Sequence, residues 1–225
     1  LISMMKKFKT EKIILSSTAA VYAKKNKLIY ENDKLRPSNK YGKSKLKTEK
    51  VLINSKNVKF VILRFFNVSS SIPNPLIGEF HDPETHLVPI AVYRALKNKK
   101  INIFGNNYMT KDGTCIRDYI HVSDLADIHI RSLKYLNFKK QSFVLNCGYG
   151  KGYSVKEIVD IFKKLKKDVL VDVLRRRPGD LDHVYSNTNK FKKLINWKPK
   201  YKNVKKIVLS AINWEKKLSK KINLY

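Results

Sequence analysis

The chain has 225 residues, 43% of them hydrophobic, which is enough for one domain, or one and a half, around a sizeable core. No apolar run approaches the roughly 18 residues of a membrane span. The formal net charge of +30 would, taken alone, indicate a nucleic acid or another anionic partner. The lysines are spread from Lys6 to Lys221 without clustering among aromatic residues. We therefore attribute the positive charge to a general abundance of lysine and not to a specific nucleic-acid-binding surface.

The positions of the two cysteines indicate the redox state of the protein's cellular compartment. Cys115 and Cys147 lie far apart and form no CxxC motif. A reduced, cytoplasmic protein is the simplest interpretation of this pattern.

The predicted elements alternate between strand and helix, which is typical of an α/β fold. A segment resembling the end of a helix (1–8) comes first. Ser123 or Asp124 is expected to cap the helix that follows residue 121, and Ser154 with Glu157 is expected to form a capping box. We predict strands at 13–15, 58–66, 101–104, 117–121, 143–147 and 169–174, and helices at 40–55, 87–97, 123–136, 154–165, 188–195 and 204–219.

Tyr41 and Lys45, in the sequence YGKSK, are the candidate catalytic pair. Four residues apart on a helix, their side chains share a face. A lysine ammonium beside a phenol favours the phenolate, which can act as a general base. The Tyr-x-x-x-Lys spacing occurs five times in this chain, where composition alone predicts about two. Tyr41 is singled out by its context, because a strand ends upstream at Thr18 and can bring a hydroxyl to the same site.

Five segments, in order along the chain, carry a more specific signal: SSTAAVY, YGKSK, LRFFN, GTCIRDYIHVSDLA and RRRPGD. Together they resemble the extended short-chain dehydrogenase/reductase family over about residues 12–214. The resemblance implies an incomplete Rossmann-like, doubly wound parallel sheet (later strands only) plus a small α/β substrate-binding domain. It assigns 1–70 to the C-terminal part of the NAD-binding domain and 71–225 mainly to UDP-sugar binding, with about 115–150 returning to the Rossmann sheet.

The same resemblance implies an NAD-dependent interconversion of UDP-glucose and UDP-galactose through a 4-keto sugar. Tyr41 would take the proton of the sugar 4-hydroxyl, Thr18 would hydrogen-bond that hydroxyl, and Lys45 would bind the nicotinamide ribose. Phe66 would line the nicotinamide pocket. The implied substrate residues are Asn67 for the diphosphate or sugar, His86 and Leu87 along the nucleotide, Asn102 and Phe104 beside the uracil, Arg117 and Arg177 on the diphosphate, and Asp180 on the uridine ribose.

Two positions in the segment RRRPGDLDHVY allow a further interpretation. Arg177 ends a run of three arginines that could be a solvated charge run, but the Pro-Gly-Asp turn after it favours diphosphate binding.

Val184 falls where the resembled family alternates between tyrosine and a smaller residue. A small side chain there leaves room beside the sugar. We predict that a full-length form accepts N-acetylated UDP-hexoses as well.

The chain departs from the family in one major respect. The glycine-rich loop that holds NAD is missing, and the cluster Gly148-x-Gly150-x-Gly152 has the wrong spacing for it. We therefore expect a chain that is inactive alone. A separate N-terminal half could complement it, and the full-length form is expected to be a homodimer.

Other functions stay open. A UDP-pentose 4-epimerase, a decarboxylase or a dehydratase would use the same tyrosine chemistry. Dehydratases of this family usually carry Asp-Glu after the hydroxyl residue, where this chain has Ala19 and Ala20. A non-enzymatic basic binding protein is the third class, and binding of nucleic acid but not UDP would favour it.

The loop at 81–86 carries side chains of the kind that bind metals: His81, Asp82, Glu84 and His86. No further ligand has the spacing typical of a zinc site. We therefore expect a polar loop and no metal.

Overall fold

Alternating strands and helices run through the computed structural model, which describes residues 1–72, 74, 76–139, 141–165 and 169–222. The α/β class predicted from the sequence is confirmed. The helices are α1 (Ile2–Lys7), α2 (Lys40–Ile53), α3 (Leu87–Leu96), α4 (Val122–Lys139), α5 (Val155–Leu165), α6 (Asn189–Ile195) and α7 (Val204–Ile222). The strands are β1 (Lys12–Thr18), β2 (Lys27–Ile29), β3 (Lys59–Phe65), β4 (Asn67–Ser69), β5 (Ile101–Phe104), β6 (Ile116–His121), β7 (Phe143–Cys147), β8 (Gly152–Ser154), β9 (Val171–Leu174) and β10 (His183–Ser186).

The first sheet is parallel, with the strand order β1-β3-β7. Successive side chains of β3 point to opposite faces. Val61 and Leu63 belong to the large core that also contains residues of α4, whereas Ile62 packs with Met5 of α1 and Leu52 of α2. Helices therefore cover both faces of this sheet, as a doubly wound arrangement requires. Among the described residues, no strand pairs with the outer side of β1.

The second sheet has the order β2-β10-β6-β4, and β8 pairs antiparallel with β6. A separate parallel pair joins β5 to β9. The chain passes between the two larger sheets more than once, since β2 lies in the second sheet although β1 and β3 form the first. The return of β7 to the first sheet lies within the segment 115–150. The division into domains at residue 70 stays a prediction.

The two short strands β2 and β10 were not predicted from the sequence. Each has only three or four residues, and their pairing joins Lys27 to Val184 and Ile29 to Ser186. A strand of this length shows too little periodicity to be recognised without its partner. The pairing matters for the site because it positions Val184.

Helix capping follows the sequence at one helix and departs from it at another. The capping box is confirmed: the backbone N–H of Glu157 donates to Ser154 Oγ at 3.0 Å, and that of Ser154 donates to Glu157 Oε2 at 2.7 Å. The prediction that Ser123 or Asp124 caps α4 is wrong. The helix begins at Val122, and His121 Nδ1 accepts the hydrogen bond of the Ser123 backbone N–H at 3.1 Å.

Candidate functional site

Three adjoining cavities of about 790, 320 and 210 Å³ share one side chain, Asn67. Asn67 begins β4, immediately after β3 ends. The cavities lie at the carboxyl ends of the strands of the first sheet, since Thr18, the last residue of β1, lines two of them. This is the end of a parallel sheet at which α/β folds bind ligands.

Thr18 and Tyr41 both line the largest cavity. Tyr41 lies in the first turn of α2, and Asn39 fixes the start of this helix because its side chain accepts the hydrogen bond of the Gly42 N–H at 2.7 Å. A Cβ atom at Gly42 would overlap the carbonyl group of Ala20. The absence of a side chain at Gly42 therefore allows the helix start to approach the turn after Thr18. The strand end and the helix start converge, as the sequence predicts.

Lys45 is the exception among the predicted site residues, because it lines none of the three cavities. Its Nζ donates to the carbonyl oxygen of Ser16 at 3.1 Å and lies 5.8 Å from the centroid of the Tyr41 ring. The shared helix face is therefore present. The contact of Lys45 with a nicotinamide ribose stays a prediction.

Thr18 at the end of β1 and Tyr41 at the start of α2 form what we call the Thr18–Tyr41 corner. A buried ion pair lies behind it. Arg64 Nη2 donates to Glu49 Oε2 at 2.7 Å, and the two side chains are only 3% and 0% exposed. Ser17 donates its hydroxyl to the same carboxylate. Arg64 Nη1 donates to the hydroxyl of Tyr22 at 2.8 Å, and burial raises the pKa of Tyr22 to about 12 although Arg64 opposes this rise. The pair thus ties α2 to β3 and β1, the elements that carry the corner.

Sequence reasoning missed this pair. Glu49 occurs in a lysine-rich helix and resembles a surface residue. The available signal was Arg64, a charged residue inside the apolar strand VKFVILRFF, since a buried charge needs a partner.

The opposite end of the site is the smallest cavity. Arg94 Nη1 donates to Asn102 Oδ1 at 3.0 Å, which orients the amide toward that cavity. The guanidinium of Arg177 lies 5.0 Å from the centroid of the Phe104 ring. The predicted residues that line this cavity are Asn67, His86, Leu87, Asn102, Phe104, Arg117 and Arg177.

Asp180 joins the two predicted diphosphate-binding arginines. Its carboxylate accepts from Arg177 Nε at 2.9 Å and forms an ion pair with Arg117 Nη2 at 3.5 Å. Arg117 Nη1 also donates to the carbonyl oxygen of Leu181 at 2.8 Å. Two guanidinium groups and one carboxylate leave a net positive charge, which suits an anionic ligand.

The middle cavity connects the two ends. It shares Thr18 and Phe66 with the largest cavity and Arg117 with the smallest, and Asp180 also lines it. Val184 of β10 lies in the same wall. Apart from Lys45, every predicted site residue therefore lines one of the three cavities, although the roles assigned to these residues stay predictions.

Asp118, which the sequence analysis did not select, holds the strand end behind Arg117. It is fully buried and accepts hydrogen bonds from the backbone of Tyr149, Gly150 and Ser186 at 2.8 to 3.1 Å. Burial raises the pKa of Asp118, against the lowering effect of these hydrogen bonds. The signal lay in the conspicuous segment RDYIHV, where the acid directly follows Arg117.

Comparison with known families gives a match to the NAD dependent epimerase/dehydratase family over residues 1–148. The chain is similar to the UDP-glucose 4-epimerase of Lacticaseibacillus casei, with 40% identity over 95% of this chain and 66% of that protein. It is also similar to the putative UDP-arabinose 4-epimerase 4 of Arabidopsis thaliana, with 39% identity over 94% of this chain and 51% of that protein. The chain thus spans about two-thirds or less of these relatives.

Solved structures of 4-epimerases are also similar to this chain. The UDP-glucose 4-epimerase of Bifidobacterium longum in complex with NAD+ and UDP superimposes with a TM-score of 0.87 and 33% identity, covering 96% of this chain and 67% of that one. The UDP-Glc/GlcNAc 4-epimerase of Campylobacter jejuni superimposes with a TM-score of 0.80 and 39% identity, covering 96% of this chain and 68% of that one.

None of the helices in the described part of the chain combines the length and the hydrophobicity of a membrane span.

Proposed function

Because the chain belongs to the NAD dependent epimerase/dehydratase family, we propose that it supplies the catalytic tyrosine and the nucleotide-sugar site of a UDP-glucose 4-epimerase. The observation that carries this proposal is the line of three cavities. It runs from Thr18 and Tyr41, past Asn67, to the arginines beside Phe104. A ligand with a sugar at one end, a diphosphate in the middle and a flat base at the other matches this sequence of side chains.

The residues present fit one end of NAD. The largest cavity is lined by Thr18, Tyr41 and Phe66, a mixture of hydroxyl and aromatic groups that suits a nicotinamide. The sequence holds no glycine-rich fingerprint for the dinucleotide diphosphate. When bound, NAD supplies the acceptor and the donor of a hydride. Such a site needs a second segment, on this polypeptide or on a separate chain, that holds the rest of the dinucleotide.

The chain's own residues would handle the proton and the substrate. Tyr41 takes the proton of the sugar 4-hydroxyl and later returns it, while Thr18 hydrogen-bonds the same hydroxyl. Lys45 lies on the same helix face, with its Nζ 5.8 Å from the centroid of the Tyr41 ring. Arg117 and Arg177 hold the diphosphate, so that the 4-keto sugar can rotate within the site without dissociating. C4 loses and regains a hydride while the 4-hydroxyl oxygen loses and regains a proton, so the reaction involves no net oxidation.

Complementation tests this function. The chain is co-expressed with the N-terminal third of the L. casei relative, and conversion of UDP-galactose to UDP-glucose is measured. We expect activity from the pair, and a loss of about 10²–10⁴-fold in Tyr41→Phe because the general base is removed. Tyr93→Phe is the matched control, since Tyr93 heads another Tyr-x-x-x-Lys motif but lines none of the three cavities. Equal activity of Tyr41→Phe and Tyr93→Phe would refute the proposed role.

Substrate breadth is a finer part of the proposal. Val184 lines the middle cavity, which Thr18 also lines, and its small side chain leaves space for the sugar. We expect the chain to bind UDP-N-acetylglucosamine with an affinity similar to that for UDP-glucose. Val184→Tyr should lower the first affinity more than the second. Calorimetry that detects UDP-glucose but not UDP-N-acetylglucosamine with the unchanged chain would contradict this expectation.

Compartment and assembly complete the proposal. Both Cys115 and Cys147 are free and buried, which fits the reducing cytoplasm. We expect the complemented enzyme to form a homodimer, and analytical ultracentrifugation of the purified pair measures this. A sedimenting species that holds one copy of each segment would rule the homodimer out.

A further inference from the structure

The loop before α3 gathers four side chains able to bind a metal. Glu79, His81, Glu84 and His86 each contribute one donor atom, and these atoms all lie within 4.8 Å of one another. The spacing of the sequence drew attention to 81–86 only. The fold adds Glu79, which completes a set of two imidazoles and two carboxylates.

The distances between the donor atoms suit a tetrahedral ion. Ligands bound to zinc at about 2.0–2.1 Å in a tetrahedron lie about 3.3–3.4 Å from one another. His81 Nδ1 lies 3.4 Å from both Glu79 Oε1 and Glu84 Oε2. His86 Nδ1 lies 3.2 Å from the other oxygen of the same carboxylate, Glu84 Oε1, so each imidazole is close to one of the two Glu84 oxygens. The 2.7 Å contact between His86 Nδ1 and Glu79 Oε1 is a hydrogen-bond distance, so this pair must separate by about 0.6 Å to admit the ion.

The two carboxylates also carry the features of metal ligands. Glu79 Oε2 is buried and has no hydrogen-bond partner among the described residues. Glu84 Oε1 accepts hydrogen bonds from the backbone N–H groups of Thr85 and His86 at 2.6 and 2.7 Å. Hydrogen bonds of this kind orient ligand carboxylates in metal sites. One cation would compensate the charges of the two carboxylates together.

We propose that Glu79, His81, Glu84 and His86 bind a divalent transition-metal ion of the zinc type. Imidazole nitrogen with carboxylate oxygen favours such an ion over Mg²⁺ or Ca²⁺, which prefer oxygen ligands alone. Three of the four residues, Glu79, His81 and His86, line the largest cavity. The bound ion therefore lies in the cavity wall. The inference rests on the geometry of these side chains and on no step of the proposed reaction, and it gives His86 the role of a metal ligand in place of the nucleotide contact predicted from the sequence.

Titration of the untagged, metal-free chain with Co²⁺ tests this site. We expect one equivalent to bind with the intense visible absorption of tetrahedral Co²⁺, and one equivalent of Zn²⁺ to abolish that absorption. Each of the variants Glu79→Gln and His81→Ala should weaken Co²⁺ binding about 10–100-fold. Circular dichroism verifies that these variants fold.

His183→Ala is the matched control, because it removes a histidine that lies in β10, outside the cluster. It should leave both the absorption and the affinity unchanged. Weak absorption typical of six-coordinate Co²⁺, or equal affinity in the unchanged chain and in Glu79→Gln, would overturn the proposal. Loss of binding in His183→Ala would place the ion elsewhere and would overturn it too.

Discussion

The two ends of the candidate site are supported in different ways. Behind Thr18 and Tyr41 lies the ion pair of Glu49 and Arg64, whose side chains are 0% and 3% exposed. At the other end, Arg177 is 54% exposed and pairs with Asp180 at the edge of its cavity. The geometry of the first end therefore depends on buried contacts of the fold, whereas the second presents charged side chains to solvent. Substitutions should affect stability at the first end and ligand affinity at the second.

The largest expected effect comes from Arg64→Met. This change leaves the carboxylate of Glu49 buried without its partner, and breaking a buried pair in this way costs about 3–5 kcal/mol of unfolding free energy. Urea unfolding followed by circular dichroism measures the loss. Arg131→Met is the matched control, because its pair with Asp127 is 40% and 30% exposed. An exposed pair of this kind contributes about 0–1 kcal/mol.

A double variant tests the cause of that loss. Replacing both partners, as in Glu49→Leu with Arg64→Met, removes the orphaned charge and should recover part of the stability. An Arg64→Met variant as stable as Arg131→Met would contradict the conclusion that the first end depends on its buried ion pair.

A smaller effect is expected from His121, at the end of the strand that also carries Arg117. His121 is 1% exposed and its ring stacks on Tyr201 with the ring centroids 4.1 Å apart. Burial lowers the pKa of His121 to about 4, against about 6.5 in an unfolded chain. The unfolded state thus binds the proton more readily. This contribution to stability is complete above about pH 6.5 and is lost as the pH falls through 4, by about 3 kcal/mol in total.

Unfolding free energies at pH 7.5 and pH 5 test this dependence. His121→Gln should reduce the difference between the two values, whereas His183→Gln should preserve it. If His121→Gln kept the full difference, other groups would account for the acid sensitivity.

Whether a site residue could be predicted from the sequence depends on how far apart along the chain its contacts lie and on how the loops fold. Thr18 and Tyr41 were predicted to converge because each belongs to a long element with a clear start or end. The partner of Arg64 and the contribution of Glu79 to the metal-like cluster could not be predicted in this way. The first depends on a contact between α2 and β3 that only the folded chain makes, and the second depends on the loop conformation that turns the Glu79 carboxylate toward His81 and His86. Lys45 shows the same limit, since helix periodicity gave its face but not its position outside the cavities.

The smallest effect on stability, and the sharpest test of the nucleotide end, is expected from Arg177→Met. The half-exposed guanidinium should contribute to UDP binding but little to the fold. We expect the dissociation constant of UDP to rise about tenfold, which corresponds to about 1.4 kcal/mol, and the unfolding free energy to change by no more than about 0.5 kcal/mol. Calorimetry and urea unfolding measure the two quantities.

The neighbouring Arg176 provides the matched control for this test. Its guanidinium lies 3.8 Å from the centroid of the Tyr108 ring and pairs with Asp182, and it lines none of the three cavities. Arg176→Met removes the same charge from the same run, so an equal loss of UDP affinity in both variants would show that the arginines act only through their combined field. A loss confined to Arg177→Met would show that the position of this guanidinium, and not the abundance of positive charge in the chain, determines where the diphosphate binds.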